Sequence, residues 1–192
     1  MAEESIEDIY AAIGQAVSIW ARLEKSLFRF FYTLQGGSLY ENAAIFFAWH
    51  GFEQKLNLVD EIMRIRFKDK DELKFWTILK KYIFALGKER NFIVHNEVRI
   101  YTRFKDKGPN QDDLETLVSF AQENSPFEVQ LRGKQPRQLK LSDIQRIEHA
   151  IAVLDIYLDG FREALKGEPD ALPDKYRGSW SEPFLESFLS PR

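Results

Sequence analysis

The segment Glu89-Arg90-Asn91-Phe92-Ile93-Val94-His95-Asn96-Glu97 places a guanidinium, a carboxamide and an imidazole within six residues. A guanidinium presents a rigid fork of donors to anions, and an imidazole can take up or release a proton under ordinary conditions. The other candidate chemistries are poorly supplied. His50 stands at the Trp49-His50-Gly51 break and reads as a loop residue, while His149 projects away from the apolar stripe of its helix. Asp112-Asp113 and the acidic first residues read as solvated charge, and no pair of His or carboxylates has metal-ligand spacing, so no metal is expected. Gly36-Gly37-Ser38 is not followed by an Asp-x-Asp, and there is no GxxxxGK[ST] loop, GxGxxG turn or GxSxG elbow, so no cofactor is expected.

Arg90 is conspicuous because of the helix that must carry it. At about 100° per residue, Trp76, Leu79, Ile83, Leu86 and Val94 share one band of a helix running from about Asp71 to Val98, and Arg90 falls in the middle of it. A guanidinium there is costly unless a carboxylate pairs with it or the face opens into a cleft or interface. One reading is therefore a buried ion pair, with Glu24 or Glu97 as partner. Asn91 and His95, four residues apart, share the adjoining face with Leu73 and Phe84, so apolar surface continues past one side of the helix. The pattern predicts a helix covered on two sides, by its own core and by a second copy of the chain or another partner, with Gly87 permitting close packing there. For His95 the competing reading is a helix-end residue hydrogen-bonded to backbone.

The remaining elements form a helical frame. Ile9, Ile13, Val17, Trp20, Leu23, Leu27, Phe30 and Leu34 recur at three and four residues and predict a long first helix over 6–34. Gly36-Gly37-Ser38 predicts a stop and a new cap, Ala43 to Trp49 a short apolar segment, and Phe52, Leu56, Val59 and Met63 a further helix. After His95 the period changes to two over Val98, Ile100, Thr102 and Phe104, which predicts a half-buried strand, repeated by Phe127, Val129 and Leu131. Leu139 and Leu141 are expected in the other arm of a hairpin, and Leu114, Leu117 and Val118 in one or two helical turns. Ser142 with Gln145 reads as a capping box for a last helix striped by Ile144, Ile147, Ile151, Leu154, Leu158 and Phe161. The expected fold is mainly α, an up-and-down bundle of four or so long helices with a small strand insertion before the last. Residues 1–167 read as a single domain with the insertion at 97–141. The tail, 168–192, contains Pro169, Pro173, Pro183 and Pro191 and reads as mostly extended, yet Phe184, Leu185, Phe188 and Leu189 need a surface to cover, on this chain or a partner.

With Arg90, Asn91 and His95 on a long helix, the chain resembles the HEPN superfamily, the higher eukaryotes and prokaryotes nucleotide-binding domains, whose signature is Arg, a polar residue, three further positions and His. Trp20-x-x-Leu23-Glu24-x-x-Leu27 is similar to the first helix of bacterial members. The resemblance covers roughly residues 5–98 and 142–166 and implies metal-independent RNA cleavage at a site assembled across a homodimer, with Arg90, His95 and Asn91 as catalytic residues. An RNA 2′-hydroxyl attacks its own phosphate when one group removes its proton and another protonates the leaving oxygen. One chain has a single suitable His. A twofold axis would pair His95 and Arg90 with their symmetry mates, giving acid, base and guanidinium forks, while Asn91 orients His95 or a phosphate oxygen. The resemblance also implies a toxin-like or defence role, with an antitoxin or nucleotidyltransferase as partner. Some toxin members have a Tyr two residues after the His for modification by such a transferase, and this chain has Glu97 there. The alternative is a noncatalytic dimeric module that binds a nucleotide, RNA or protein.

Composition bounds these readings. A net charge of -3 over 192 residues argues against a protein that coats nucleic acid nonspecifically, though not against a local site. Sixteen Phe, seven Tyr and four Trp exceed what one core of this size needs and point to a subunit interface. The absence of cysteine excludes thiolate chemistry and fits a reducing cytoplasm, and no apolar run is long enough to span a bilayer.

Overall fold

A computed structural model describes residues 5–104, 114–122 and 138–167. Five helices are described: α1 (Ile6–Gln35), α2 (Leu39–Phe47), α3 (Phe52–Arg66), α4 (Asp71–His95) and α5 (Leu141–Leu165). Between α4 and α5 lie the strands β1 (Asn96–Phe104), β2 (Leu114–Gln122) and β3 (Gln138–Leu139). The chain divides into two compact units, one of residues 1–17 and 89–148, the other of residues 18–88 and 149–192. The expected mainly α bundle is present. No helix among the described residues is long and apolar enough to cross a membrane.

The unit of residues 18–88 and 149–192 is a helical bundle whose core follows the sequence stripes. Trp20, Leu23, Leu27, Phe30 and Leu34 of α1, Leu56, Val59 and Met63 of α3, Trp76, Leu79, Ile83 and Leu86 of α4, and Ile151, Leu154, Leu158 and Phe161 of α5 are all buried. Phe30 sits between two rings, with centroids 5.3 Å from Trp76 and 5.3 Å from Phe161. Burying each such ring stabilises the fold by about 2–3 kcal/mol. At the α1–α2 turn Gly36 and Gly37 take φ of 70° and 78°, which a side chain would resist, and the Ser38 hydroxyl accepts from the Glu41 N–H. The buried Asn42 fastens this turn, its Nδ2 donating to the carbonyls of Gly36 and Ser38 at 2.7 and 2.8 Å. Asp69, φ 62°, makes the turn in the polar run before α4.

Gly87 has a different role from the expected one. A Cβ built on it would lie 3.2 Å from Trp20 Cη2 and 3.8 Å from Phe52 Cδ1, so the close approach it permits is to aromatic rings of its own chain. Trp20 and Phe52 themselves pack with centroids 4.5 Å apart.

Charge inside this unit is organised around Asp60, buried on α3. Its carboxylate accepts from Trp76 Nε1 at 2.9 Å, Lys80 Nζ at 2.8 Å and Arg64 Nε at 2.9 Å. Burial alone would push its pKa up, but these donors and the Lys80 charge outweigh it and leave the carboxyl below its ordinary value. Glu24, one expected partner of Arg90, instead accepts from Lys55 Nζ at 2.6 Å.

In the unit of residues 1–17 and 89–148, Ile9, Ala12, Ala16, Ile93, Leu139, Ile144 and Ile147 are buried. The strands form one antiparallel sheet in the order β1-β2-β3, with Asn96 opposite Gln122, Phe104 opposite Leu114 and Val118 opposite Leu139. Three expectations change here. α4 stops at His95 rather than Val98, because strand pairing already begins at Asn96. Residues 114–118 are strand, not helical turns: Leu114, Thr116, Val118 and Phe120 also alternate at period two, and pairing with β1 decides between the two patterns. The cap of α5 lies two residues earlier than Ser142, with Asp143 Oδ2 accepting from the Lys140 N–H at 3.0 Å. The strand expected at 127–131, the Glu97 side chain and the tail lie outside the described residues.

Candidate functional site

The last two turns of α4 carry Arg90, Asn91 and His95. Leu86 and Ile93, buried one turn before and one turn after Arg90, fix which side of the helix it occupies. Arg90 is half-buried, whereas Asn91 and His95 are exposed. The guanidinium bridges the two environments. Its Nη1 donates to Asn91 Oδ1 at 3.0 Å, while its Nε is buried without a hydrogen-bond partner. Asn91 therefore stands between Arg90, which it contacts, and His95, four residues on along the same exposed face.

How the fold treats its other withdrawn cations gives this arrangement its meaning. Among the residues whose side chains are described, which excludes those of the strand 96–104, Lys55, Lys80, Arg90, Arg146 and Arg162 are the cations not exposed to solvent. Lys55 pairs with Glu24, Lys80 with Asp60, Arg146 with Asp143, and Arg162 with Asp159 and Glu163. Arg90 alone among them has a neutral partner, the Asn91 amide. An uncompensated charge costs more than a paired one, and a buried donor left unmade costs about 1–3 kcal/mol.

The surface around the trio differs from the helical wheel in one respect. Val94, expected within the apolar band, is 38% exposed. Phe84, expected beside Asn91 and His95, is half-buried with Lys88 Nζ 4.4 Å from its ring centroid. His50 and His149 are both exposed, His50 outside any helix or strand and His149 on α5. Among the described residues no group of three or more His, Asp or Glu is placed to hold a metal ion.

Chemically, one chain offers an anion-seeking guanidinium already partly stripped of water, an amide that fixes one of its nitrogens, and one accessible imidazole. A single imidazole serves as acid or as base in a given step, not both, so general acid–base chemistry needs a second group from elsewhere. No family model, curated protein or solved structure matches this chain.

Proposed function

We propose that this chain is a metal-independent endoribonuclease, toxin-like or defence-related, whose site forms when two copies bring their Arg90, Asn91 and His95 together. The observation that supports this reading is the Arg90 guanidinium. It is half-buried, its Nε has no hydrogen-bond partner, and it contacts the exposed Asn91 amide, one turn before the exposed His95. A phosphate supplies the missing counter-charge and accepts from the guanidinium fork.

In the proposed reaction one His95 takes the proton of an RNA 2′-hydroxyl, whose oxygen attacks the adjacent phosphorus. The symmetry-related His95 donates a proton to the departing 5′-oxygen, and a 2′,3′-cyclic phosphate and a 5′-hydroxyl result. The two Arg90 side chains stabilise the extra charge on the pentavalent phosphorus, an interaction stronger in the transition state than before it.

The test is incubation of RNA with wild type and with His95→Ala in the presence of EDTA, under conditions where dimer is verified. Cleavage by wild type alone, ending in cyclic phosphate, is the expected result. Equal cleavage by both, or none by a verified dimer across a range of RNAs, rejects the enzyme reading. In the second case retention of RNA or nucleotide by wild type and its loss in Arg90→Ala would favour a noncatalytic binding module, which the net charge of -3 and the small size of the cationic site also suit.

A further inference from the structure

At one end of the helical bundle, where α4 begins and α5 finishes, a cleft of about 580 Å³ opens. Its floor is apolar and comes from Phe75, Ile78, Phe161, Ala164 and Leu165. Phe75 and Phe161 meet edge to face, with centroids 4.6 Å apart, so the floor is a packed aromatic surface. A volume of this size accommodates a few large side chains. Among the described residues of its lining nothing selects a small charged ligand: the cation on that rim, Lys74, is committed to Asp71 at 2.9 Å.

We infer that the occupant of this cleft is the chain's own C-terminal segment, through Phe184, Leu185, Phe188 and Leu189. Three observations lead there. The described part of α5 ends at Leu165, itself part of the floor, and Gly167, φ 91°, turns the backbone out of the helix, so the continuing chain starts beside the cleft. The distance poses no obstacle, since the 17 residues from Gly167 to Phe184 can span up to about 56 Å. The segment Phe184-Leu185-Glu186-Ser187-Phe188-Leu189 gathers four large apolar side chains within six residues, a concentration that water disfavours and an apolar floor receives. Tethering favours this occupant over a free peptide of equal affinity, because a short connection holds the segment at an effective concentration on the order of millimolar.

The absence of cysteine makes the test clean, because two introduced cysteines are the only thiols in the 192-residue chain. Lys74→Cys on the rim is combined with Ser187→Cys between the two apolar pairs, and Ile65→Cys, on exposed α3 surface outside the cleft, replaces the rim cysteine in the control. Under mild oxidation the Lys74→Cys/Ser187→Cys chain is expected to close an intramolecular disulfide at least ten times faster than the Ile65→Cys/Ser187→Cys control. Adding Phe184→Asp and Phe188→Asp to the first pair is expected to remove that advantage. Equal rates in the two pairs, or a product that is only intermolecular, overturn the inference, the latter by assigning the cleft to another copy's tail. Hydrogen exchange on the otherwise wild-type 192-residue chain supplies an independent readout. Phe184→Asp with Phe188→Asp should deprotect amides of 75–78 and 161–165 while leaving α3 unchanged, and unaltered exchange at the cleft overturns the inference as well.

Discussion

Replacing Arg90 with methionine should stabilise this protein while abolishing its proposed activity. Met reproduces much of the length and apolar stem of Arg, so the contacts flanked by Leu86 and Ile93 are largely kept. What disappears is a buried Nε without a partner, whose cost is about 1–3 kcal/mol, and one exposed bond to Asn91, worth about 0.5 kcal/mol. The net expectation is a gain of about 1 kcal/mol, or about 2–4 °C in Tm for a chain of this length. Urea unfolding followed by tryptophan fluorescence measures it directly, with an unchanged slope showing that a shifted midpoint is a change in stability. The structural reading of Arg90 predicts the opposite sign. If a buried carboxylate neutralised it, removing one partner would cost about 3–5 kcal/mol. A midpoint that falls by 1 kcal/mol or more in Arg90→Met would refute the reasoning and return Arg90 to the architecture of the monomer. A rise in stability accompanied by loss of RNA cleavage would mark a residue retained at the expense of the fold.

Two further variants probe the helical bundle of residues 18–88 and 149–192. Asp60→Asn keeps an oxygen for Trp76 but loses the charge that faces Lys80, and should cost about 1–2 kcal/mol at neutral pH. Because folding lowers the Asp60 pKa, its contribution is present above the ordinary carboxylate value and is lost as pH falls through the lower folded value. The gap between wild type and Asp60→Asn should therefore close below about pH 4, and urea midpoints that stay equally far apart there would contradict the assignment. Gly87→Val, which meets Trp20 at its first carbon, should cost about 1–3 kcal/mol in unfolding without altering the dissociation constant of the proposed dimer, measured by sedimentation. The reverse pattern would restore Gly87 to a subunit interface.

The helices were legible because long apolar stripes at three and four residues have few other solutions. Ile9 through Leu34 could hardly be anything but α1, and the glycine pair after it could hardly continue a helix. Ambiguity appeared where a short run satisfied two periods at once. Leu114, Leu117 and Val118 match a helix, while Leu114, Thr116, Val118 and Phe120 match a strand, and only the pairing with β1, a nonlocal fact, separates them. The end of α4 is hidden from the local sequence for the same reason, since β1 claims Asn96 and the residues after it. Gly87 shows a different kind of blindness. The wheel identified a place of close approach, but which ring comes near, Trp20 of the same chain or a neighbour's side chain, is not written in the local sequence.

The choice of ion-pair partners was equally hidden, and it bears most on function. Asp60–Arg64 could have been suspected from its four-residue spacing, whereas Glu24–Lys55 and Asp60–Lys80 join positions on different helices. Glu24, a plausible counter-charge for Arg90 when only the sequence is considered, is bound to Lys55. A fold that supplies carboxylates for the other withdrawn cations among its described side chains but only an amide for Arg90 has not simply run short of acids, since the chain contains 30 Asp and Glu against 27 Lys and Arg. The exception is local, on the two helical turns that also carry an exposed imidazole. An internal carboxylate there would stabilise the monomer but compete with any incoming phosphate for the same guanidinium. A guanidinium whose partner is an amide rather than a carboxylate is costlier to bury, which is why the sign of the Arg90→Met effect, more than its size, separates the proposed phosphate site from a structural ion pair.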